Sequence, residues 1–147
     1  MLTHDRQINR EGLELIKKFE GCKLTSYKCP AGIWTIGYGH TGISVHANMT
    51  ITQEEADALL LVDLHRFCDG VDKLVITPLS DNEFSALVSF TYNVGLEAFR
   101  KSTMLKKLIA VDFPGAANEF PKWNKVNGAP LAGLIKRRAA EKALFES

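Results

Sequence analysis

The 147-residue chain has no long hydrophobic run; the longest is about five residues, Ala58 to Val62. A membrane-spanning helix needs about 20, so none is expected. Neither sign of charge is in excess, since 18 Lys and Arg against 17 Asp and Glu leave a formal net charge of +1. Domains that bind nucleic acid are usually strongly basic, so no such partner is expected. Cysteine is scarce and odd in number, at Cys22, Cys29 and Cys68. The three cannot all pair within the chain, no C-x-x-C occurs and the four histidines are scattered, which argues against a zinc site. Reduced thiols in a protein made in the cytosol are the plain expectation. Met1-Leu-Thr-His-Asp-Arg-Gln lacks the apolar core and cleavage site of a signal peptide, so accumulation in the cytosol is expected. Internal repeats and low-complexity stretches are absent as well.

What is present is the composition of an ordinary folded protein, 46% hydrophobic and 24% charged. A chain of this length buries roughly 70% of its unfolded surface and needs no covalent staples. The spacing predicts a helix over residues 9–22, where Leu13, Ile16 and Glu20 share one stripe and Leu15 and Phe19 another. Gly21 is its expected stop. Residues 23–47 change character. Glycines at 32, 37, 39 and 42 are interleaved with the β-formers Ile33, Trp34, Thr35, Ile36 and Tyr38, the pattern of a small β-meander.

Thr52-Gln-Glu-Glu55 and Ser80-Asp-Asn-Glu83 are both capping boxes. The first opens a helix expected to run to about Cys68. Its apolar residues (Ala56, Leu59, Leu60, Val62, Leu64, Phe67) spread widely around the axis, as in a connector buried on more than one side. The second opens a helix that Gly95 ends. Further helices are expected from Ser102 through Ile109, from Phe113 to Phe120 and from Leu131 to Phe145, with residues 123–130 a loop that turns at Asn127-Gly128. The layout is α+β with segregated elements. It is read as a single domain over residues 1–147, with a small lobe over about 1–51, a connecting helix over 52–70 and a helical lobe over 71–147.

Three features could carry chemistry. Glu20, a carboxylate on an apolar stripe, is either a boundary residue or a partly desolvated acid; desolvation would suit it to general-acid work near neutral pH. Gly37-Tyr-Gly39 lacks the rest of a dinucleotide fingerprint, and no helix follows at once. Its glycines read either as hairpin turns or as backbone that comes close to a ligand. His40 raises a Cys–His nucleophilic pair and hence a peptidase, but one histidine of four is thin support. Bracing the sheet or lining a cleft is the simpler role. Cys68, on the long helix, reads as a packing residue.

Together the residues carry a resemblance. Glu20-Gly21, Tyr27, Gly32 and the run Trp34-Thr-Ile-Gly-Tyr-Gly-His-Thr41 resemble the phage-type lysozymes of glycoside hydrolase family 24. That family's motif is Glu, eight residues, Asp or Cys, five residues, Thr; here the positions are Glu20, Cys29 and Thr35. Downstream, Phe90-Thr-Tyr-Asn-Val-Gly95, Phe99 and Ser102-Thr103 resemble the family's substrate-cleft segment. Gly133-Leu-Ile-Lys-Arg-Arg-Ala-Ala-Glu141 resembles its C-terminal signature. The likeness covers residues 8–146.

The resemblance implies a two-lobed lysozyme-like fold. It also implies an endolysin: a muramidase that hydrolyses the β-1,4 bond between N-acetylmuramic acid and N-acetylglucosamine in peptidoglycan and so lyses the host cell. Glu20 matches the acid that protonates the glycosidic oxygen, and Thr35 matches the hydroxyl that orients the attacking water. Cys29 stands where much of the family has aspartate. A thiol of ordinary pKa is only a few per cent thiolate at neutral pH, so three readings stay open. Cys29 is a base or nucleophile through its thiolate, a helper of Thr35, or a redox handle blocked by oxidation or by pairing with Cys22.

By the same resemblance, Tyr92, Asn93, Phe99, Ser102 and Asn118 match positions that touch sugar rings and N-acetyl groups, with core packing the alternative for Tyr92 and Phe99. Arg137 or Arg138 would reach Glu20 as an ion partner, with surface solvation the alternative. No cofactor or metal is implied. The implied partners are peptidoglycan glycan strands and a holin that releases the protein, as a monomer, from the host cytoplasm to the periplasm and cell wall. The rivals are a lytic transglycosylase on the same substrate and a non-catalytic peptidoglycan-binding module. The last helix sets Lys136, Arg137, Arg138 and Lys142 beside Leu134, Ile135, Leu144 and Phe145, which reads first as a packed helix with a solvated basic face, with membrane contact by a basic amphipathic helix the alternative.

Overall fold

The structure, a computed structural model, describes residues 6–147. The reading of the N-terminus as free of a signal peptide rests mainly on Met1 to Asp5, which lie outside the described residues. The chain forms two compact units. One is Lys17–Arg66; the other combines the residues up to Ile16 with Phe67–Ser147. The boundaries fall inside the helices α1 (Arg10–Glu20) and α2 (Gln53–Leu74).

The chemistry of the N-terminal segment explains this division. Arg6 pairs with Asp72 at 2.5 Å and donates to the Val75 carbonyl at 2.6 Å. The Asn9 backbone N–H donates to Ser85 Oγ at 2.8 Å. The Asn9 side chain donates to Asn82 Oδ1 at 2.7 Å, and Asn82 Nδ2 donates to Ser147 Oγ at 2.9 Å. A Cβ at Gly12 would lie 2.7 Å from the Ser85 Cβ, so a larger residue would push α1 away.

In the unit Lys17–Arg66, three antiparallel strands lie in the order β1 (Lys23–Lys28), β2 (Trp34–Gly37) and β3 (His40–Thr41). Gly39, at φ 87°, closes the β2–β3 turn, a conformation that glycine adopts without steric cost. Met49 to Ile51 run along β1: Ser26 donates its N–H to the Met49 carbonyl at 2.9 Å, and Ile51 donates to Leu24 at 2.9 Å. Ile36, Ala56, Leu60 and Leu64 form the buried centre.

The Thr52 capping box is present, with the Thr52 N–H on Glu55 Oε1 at 2.9 Å and the Glu55 N–H on Thr52 Oγ1 at 3.1 Å. The helix it opens runs on to Leu74, past the expected end at Cys68. A Cβ at Gly70 would lie 2.6 Å from Leu96 Cδ1, so a glycine inside the helix serves close packing. The expected burial of α2 on several sides is corrected. Ala56, Leu60, Leu64, Phe67, Cys68 and Val71 form one buried stripe, while Leu61 and Val62 are 56% and 68% exposed. Positions three and four apart lie on one helix face, and the wider apolar spread in the sequence is partly surface.

The other unit is built around α3 (Asp81–Val94), whose residues Phe84 to Thr91 are all buried. Ser80 and Glu83 form its capping box, and Gly95, at φ 96°, ends it. The short α4 (Leu96–Arg100), which the sequence did not suggest, follows directly. Then come α5 (Thr103–Ile109, capped by Ser102), α6 (Phe113–Ala117) and a 3-10 turn at Phe120–Lys122. Residues 123–130, read as a loop, include a two-stranded hairpin, β4 (Lys125–Val126) and β5 (Ala129–Pro130), with Asn127 and Gly128 at positive φ in its turn. The last helix is α7 (Ala132–Glu146). Phe90 meets Phe99, Phe120 and Trp123 edge-on, with ring centroids 5.4–6.3 Å apart.

In α7, two of the four cations leave the expected solvated face. Arg137 and Arg138 are 3% and 1% exposed. Both donate to Glu141, Arg137 from Nε at 3.1 Å and Arg138 from Nη1. Two of the four cations thus turn inward, because their charge is matched inside the unit. Among the described residues, no helix is long and apolar enough to cross a membrane.

Candidate functional site

Glu20 is the last residue of α1 and is half-buried. Gly21 follows at φ 70°, its N–H on the Lys17 carbonyl at 3.0 Å, which turns the chain into β1. At the far end of β1, the Cys29 N–H donates to the Ile33 carbonyl at 2.9 Å, and the Gly32 N–H donates to the Cys29 carbonyl at 2.8 Å. This tight turn brings β2 back antiparallel. The register sets Tyr27 opposite Thr35, so their side chains share a face of the sheet. Cys29, two residues beyond Tyr27, lies next to Thr35.

The electrostatics fit this placement. Backbone N–H groups of Ile33 and then Ala31, with the Thr35 hydroxyl, point to the Cys29 sulfur and hold its pKa below the ordinary thiol value. Hydrogen bonds to the charged form favour that form. Tyr27 is pushed the other way, first by burial, then by the negative charges of Glu20 and Cys29. Tyr27 therefore marks the place where the acid and the thiol are both near. Lys23 Nζ lies 5.7 Å from the Tyr27 ring centroid. Thr35 is buried, and its hydroxyl donates to the Ile33 carbonyl at 2.9 Å. Its single proton can serve that carbonyl or the Cys29 sulfur, and its lone pairs stay available to a water either way.

His40 Nδ1 stands 2.8 Å from Asp63 Oδ2 on α2, which ties β3 to the helix and fits the bracing role. All three cysteines are free thiols, and Cys68 is buried as a packing residue. Among the described residues, no group of three or more His, Cys, Asp or Glu side chains is placed to hold a metal ion.

The positions expected to touch sugars all lie in the helical unit, and they divide. Tyr92 is half-buried, its ring edge-on to Phe67 with centroids 5.2 Å apart, and Asn93 and Asn118 are exposed. Phe99 is 0% exposed, so packing occupies its whole side chain and its expected sugar contact is withdrawn. Ser102 is buried and caps α5, donating to the Phe99 carbonyl at 2.7 Å and accepting from the Leu105 N–H at 3.1 Å. Its hydroxyl is engaged in the cap rather than presented to a ligand. The surface alternative for Arg137 and Arg138 is likewise withdrawn, since both are buried.

Sequence reasoning gave no role to Tyr27, Trp123 or Glu141. The period of two from Tyr27 to Cys29 would have marked the first. Glu141, three and four residues beyond the two arginines, carried the helical spacing of an ion pair. For Trp123 the sequence held no signal.

A family model described as phage lysozyme matches residues 17–141. An endolysin of Acyrthosiphon pisum secondary endosymbiont phage 1 is 49% identical over 144 residues, covering 95% of this chain and 98% of that one. An endolysin of Bacillus phage B103 is 49% identical over 140 residues, 94% of this chain but 53% of its own length, so the chain spans about half of that relative. Among solved structures, the muramidase domain of SpmX from Asticaccaulis excentricus superposes with a TM-score of 0.91 at 44% identity, covering 97% of this chain and 99% of that one.

Proposed function

The chain belongs to the phage lysozyme family, and from that membership we propose that it is an endolysin muramidase, a glycoside hydrolase that cuts the β-1,4 bond between N-acetylmuramic acid and N-acetylglucosamine in peptidoglycan. The observation that carries the proposal is the grouping of Glu20, Cys29 and Thr35 around Tyr27 in one compact unit, at the family's spacing.

Glycoside cleavage needs an acid on the leaving oxygen and a water for the anomeric carbon. Glu20 gives its proton to the glycosidic oxygen as the bond to the anomeric carbon breaks. Thr35 accepts a hydrogen bond from the incoming water. That water adds its oxygen to the anomeric carbon and loses a proton, which the Cys29 thiolate is placed to take. The lowered Cys29 pKa supports this role over that of a spectator. Asn93 and Tyr92 are the helical unit's candidates for contact with the strand, and release from the cytoplasm through a holin completes the proposed sequence of events.

The test is loss of turbidity of outer-membrane-stripped Gram-negative cells, with mass spectrometry of the fragments. Muramic ends that have gained a water establish hydrolysis. Anhydro ends, one water lighter, would make the enzyme a transglycosylase. Intact walls in the presence of folded protein would leave only wall binding.

The Cys29 role makes a separate prediction. Cys29→Ser is expected to lower the rate about a hundredfold or more, as loss of a general base does, because a serine hydroxyl stays neutral. Cys29→Asp is expected to retain activity. In the wild type, activity should fall as pH drops through the lowered Cys29 pKa and the thiolate is protonated. In Cys29→Asp that acid limb should move to lower pH, since an ordinary aspartate titrates near 3.9. A pH–rate profile identical in the two proteins would remove the thiolate from the mechanism.

A further inference from the structure

Asn93, near the C-terminal end of α3, lines a groove of about 420 Å³ with Lys122, Trp123, Lys125, Val126 and Leu134. Behind this groove lies Arg138, 1% exposed. Its Nη2 donates to Asn93 Oδ1, its Nη1 to Glu141, and its Nε to the Trp123 carbonyl at 2.9 Å. The guanidinium carbon lies 5.0 Å from the centroid of the Phe90 ring. Glu141, itself 0% exposed, also accepts from Ser89 Oγ at 2.6 Å and from Arg137 Nε at 3.1 Å. One buried side chain thus holds two parts of the groove wall, the amide of Asn93 and the backbone at Trp123.

A guanidinium has five donors and no acceptor. An asparagine beside it has to turn its oxygen inward, because the amide −NH₂ would face donors with donors. The −NH₂ of Asn93 is then left for the groove. The charged groups of the wall are donors too. Lys122 pairs with Glu119 at 2.7 Å, and Lys125 has no ion-pair partner among the described residues. The polar wall thus offers hydrogens and positive charge.

We propose that Arg138 is a positioning residue that locks the Asn93 amide with Nδ2 toward the groove, so that the groove selects carbonyl and carboxylate oxygens on the substrate strand. This rests on the reading of that strand as the substrate. It gives Arg138 a task distinct from pairing with Glu20.

The test measures KM and kcat on soluble peptidoglycan strands by release of reducing ends. Asn93→Asp keeps an oxygen for Arg138 but removes both donors. It is expected to raise KM about tenfold, with the larger part of the change in KM rather than kcat, as for an interaction made alike in ground and transition states. The pair Arg138→Gln with Glu141→Gln removes the guanidinium that holds Asn93 together with the carboxylate facing it, leaves Arg137 against a neutral amide oxygen, and frees the Asn93 amide from a fixed orientation; KM should rise comparably. Adding Asn93→Asp to that pair should raise KM no further, because the same interaction is already gone.

A KM for Asn93→Asp equal to wild type would overturn the proposal. So would losses that multiply in the triple variant, which is what a merely structural Arg138 would give. Asn93→Asp leaves the buried charges in place, so it decides the matter even where the Arg138 pair fails to fold. Failure of the enzyme reading looks different: wild type itself would release no reducing ends.

Discussion

Glu20→Gln is expected to fold as wild type does and to lose lysis, with the rate on peptidoglycan falling about 10²–10⁴-fold, the usual contribution of a placed general acid. Glutamine has nearly the same shape and keeps a carbonyl oxygen, but it has no acidic proton for the leaving oxygen. Glu20 ends α1 and is half-buried, so the change opens no cavity in the core. Unchanged thermal melting combined with lost activity would isolate chemistry from stability. A folded Glu20→Gln protein that clears stripped cells at the wild-type rate would move the acid elsewhere.

The largest expected effect on stability is at the opposite end of the chain. Glu141→Ala removes the carboxylate to which Ser89, Arg137 and Arg138 all donate. Breaking a buried charge pair on one side costs about 3–5 kcal/mol. For a chain of this size that lowers the melting temperature by on the order of 10 °C, which circular dichroism would follow.

Glu97→Ala is the informative control. The Glu97 carboxyl is held down to about 2, chiefly by the Arg100 guanidinium at 2.5 Å and then by Lys101. Yet this pair is exposed, and solvent screens such pairs until they contribute little. Glu97→Ala should therefore leave the melting temperature nearly unchanged. Equal losses in the two variants would mean that burial does not control these interactions.

Much of this molecule is legible one residue at a time, wherever the deciding interaction is local. Ser80 with Glu83 and Thr52 with Glu55 start their helices through bonds spanning three residues, so the sequence alone finds both starts. The stretch of α2 beyond Cys68 instead brings Gly70 against Leu96, a contact that no local pattern announces. The hairpin at 125–130 shows its turn in Asn127-Gly128, but strands of two residues are too short for any period to register. α4 is five residues long and follows Gly95 at φ 96°, which leaves it equally little pattern.

The site divides in the same way. The intervals between Glu20, Cys29 and Thr35 are visible as spacing. The place of Tyr27 beside them needs the strand register. The charges of Arg137 and Arg138 are plain in the sequence and suggested a wet helix face. Their burial depends on Glu141, at ion-pair spacing on the same helix, and on Ser89 of α3, a partner that a reading of α7 alone does not reveal. Phe99 misled for a related reason, since an aromatic ring suited to a sugar is equally suited to a core.

Asn82 has a consequence for the order in which the protein can be made. Its side chain accepts from Asn9 and donates to Ser147, contacts that reach 73 and 65 residues along the chain. The stretch Lys17–Arg66 leaves the ribosome uninterrupted and closes its sheet through neighbours such as Cys29 and Ile33. The helical unit receives its first strand of chain early and its last helix at the end, so the first must wait for the last. Long closures carry more entropy to overcome and form more slowly, which makes the helical unit the late-maturing half of the enzyme. Since one asparagine brings Asn9 and Ser147 together, grafting the opening segment behind Ser147 would make that unit continuous and remove the wait.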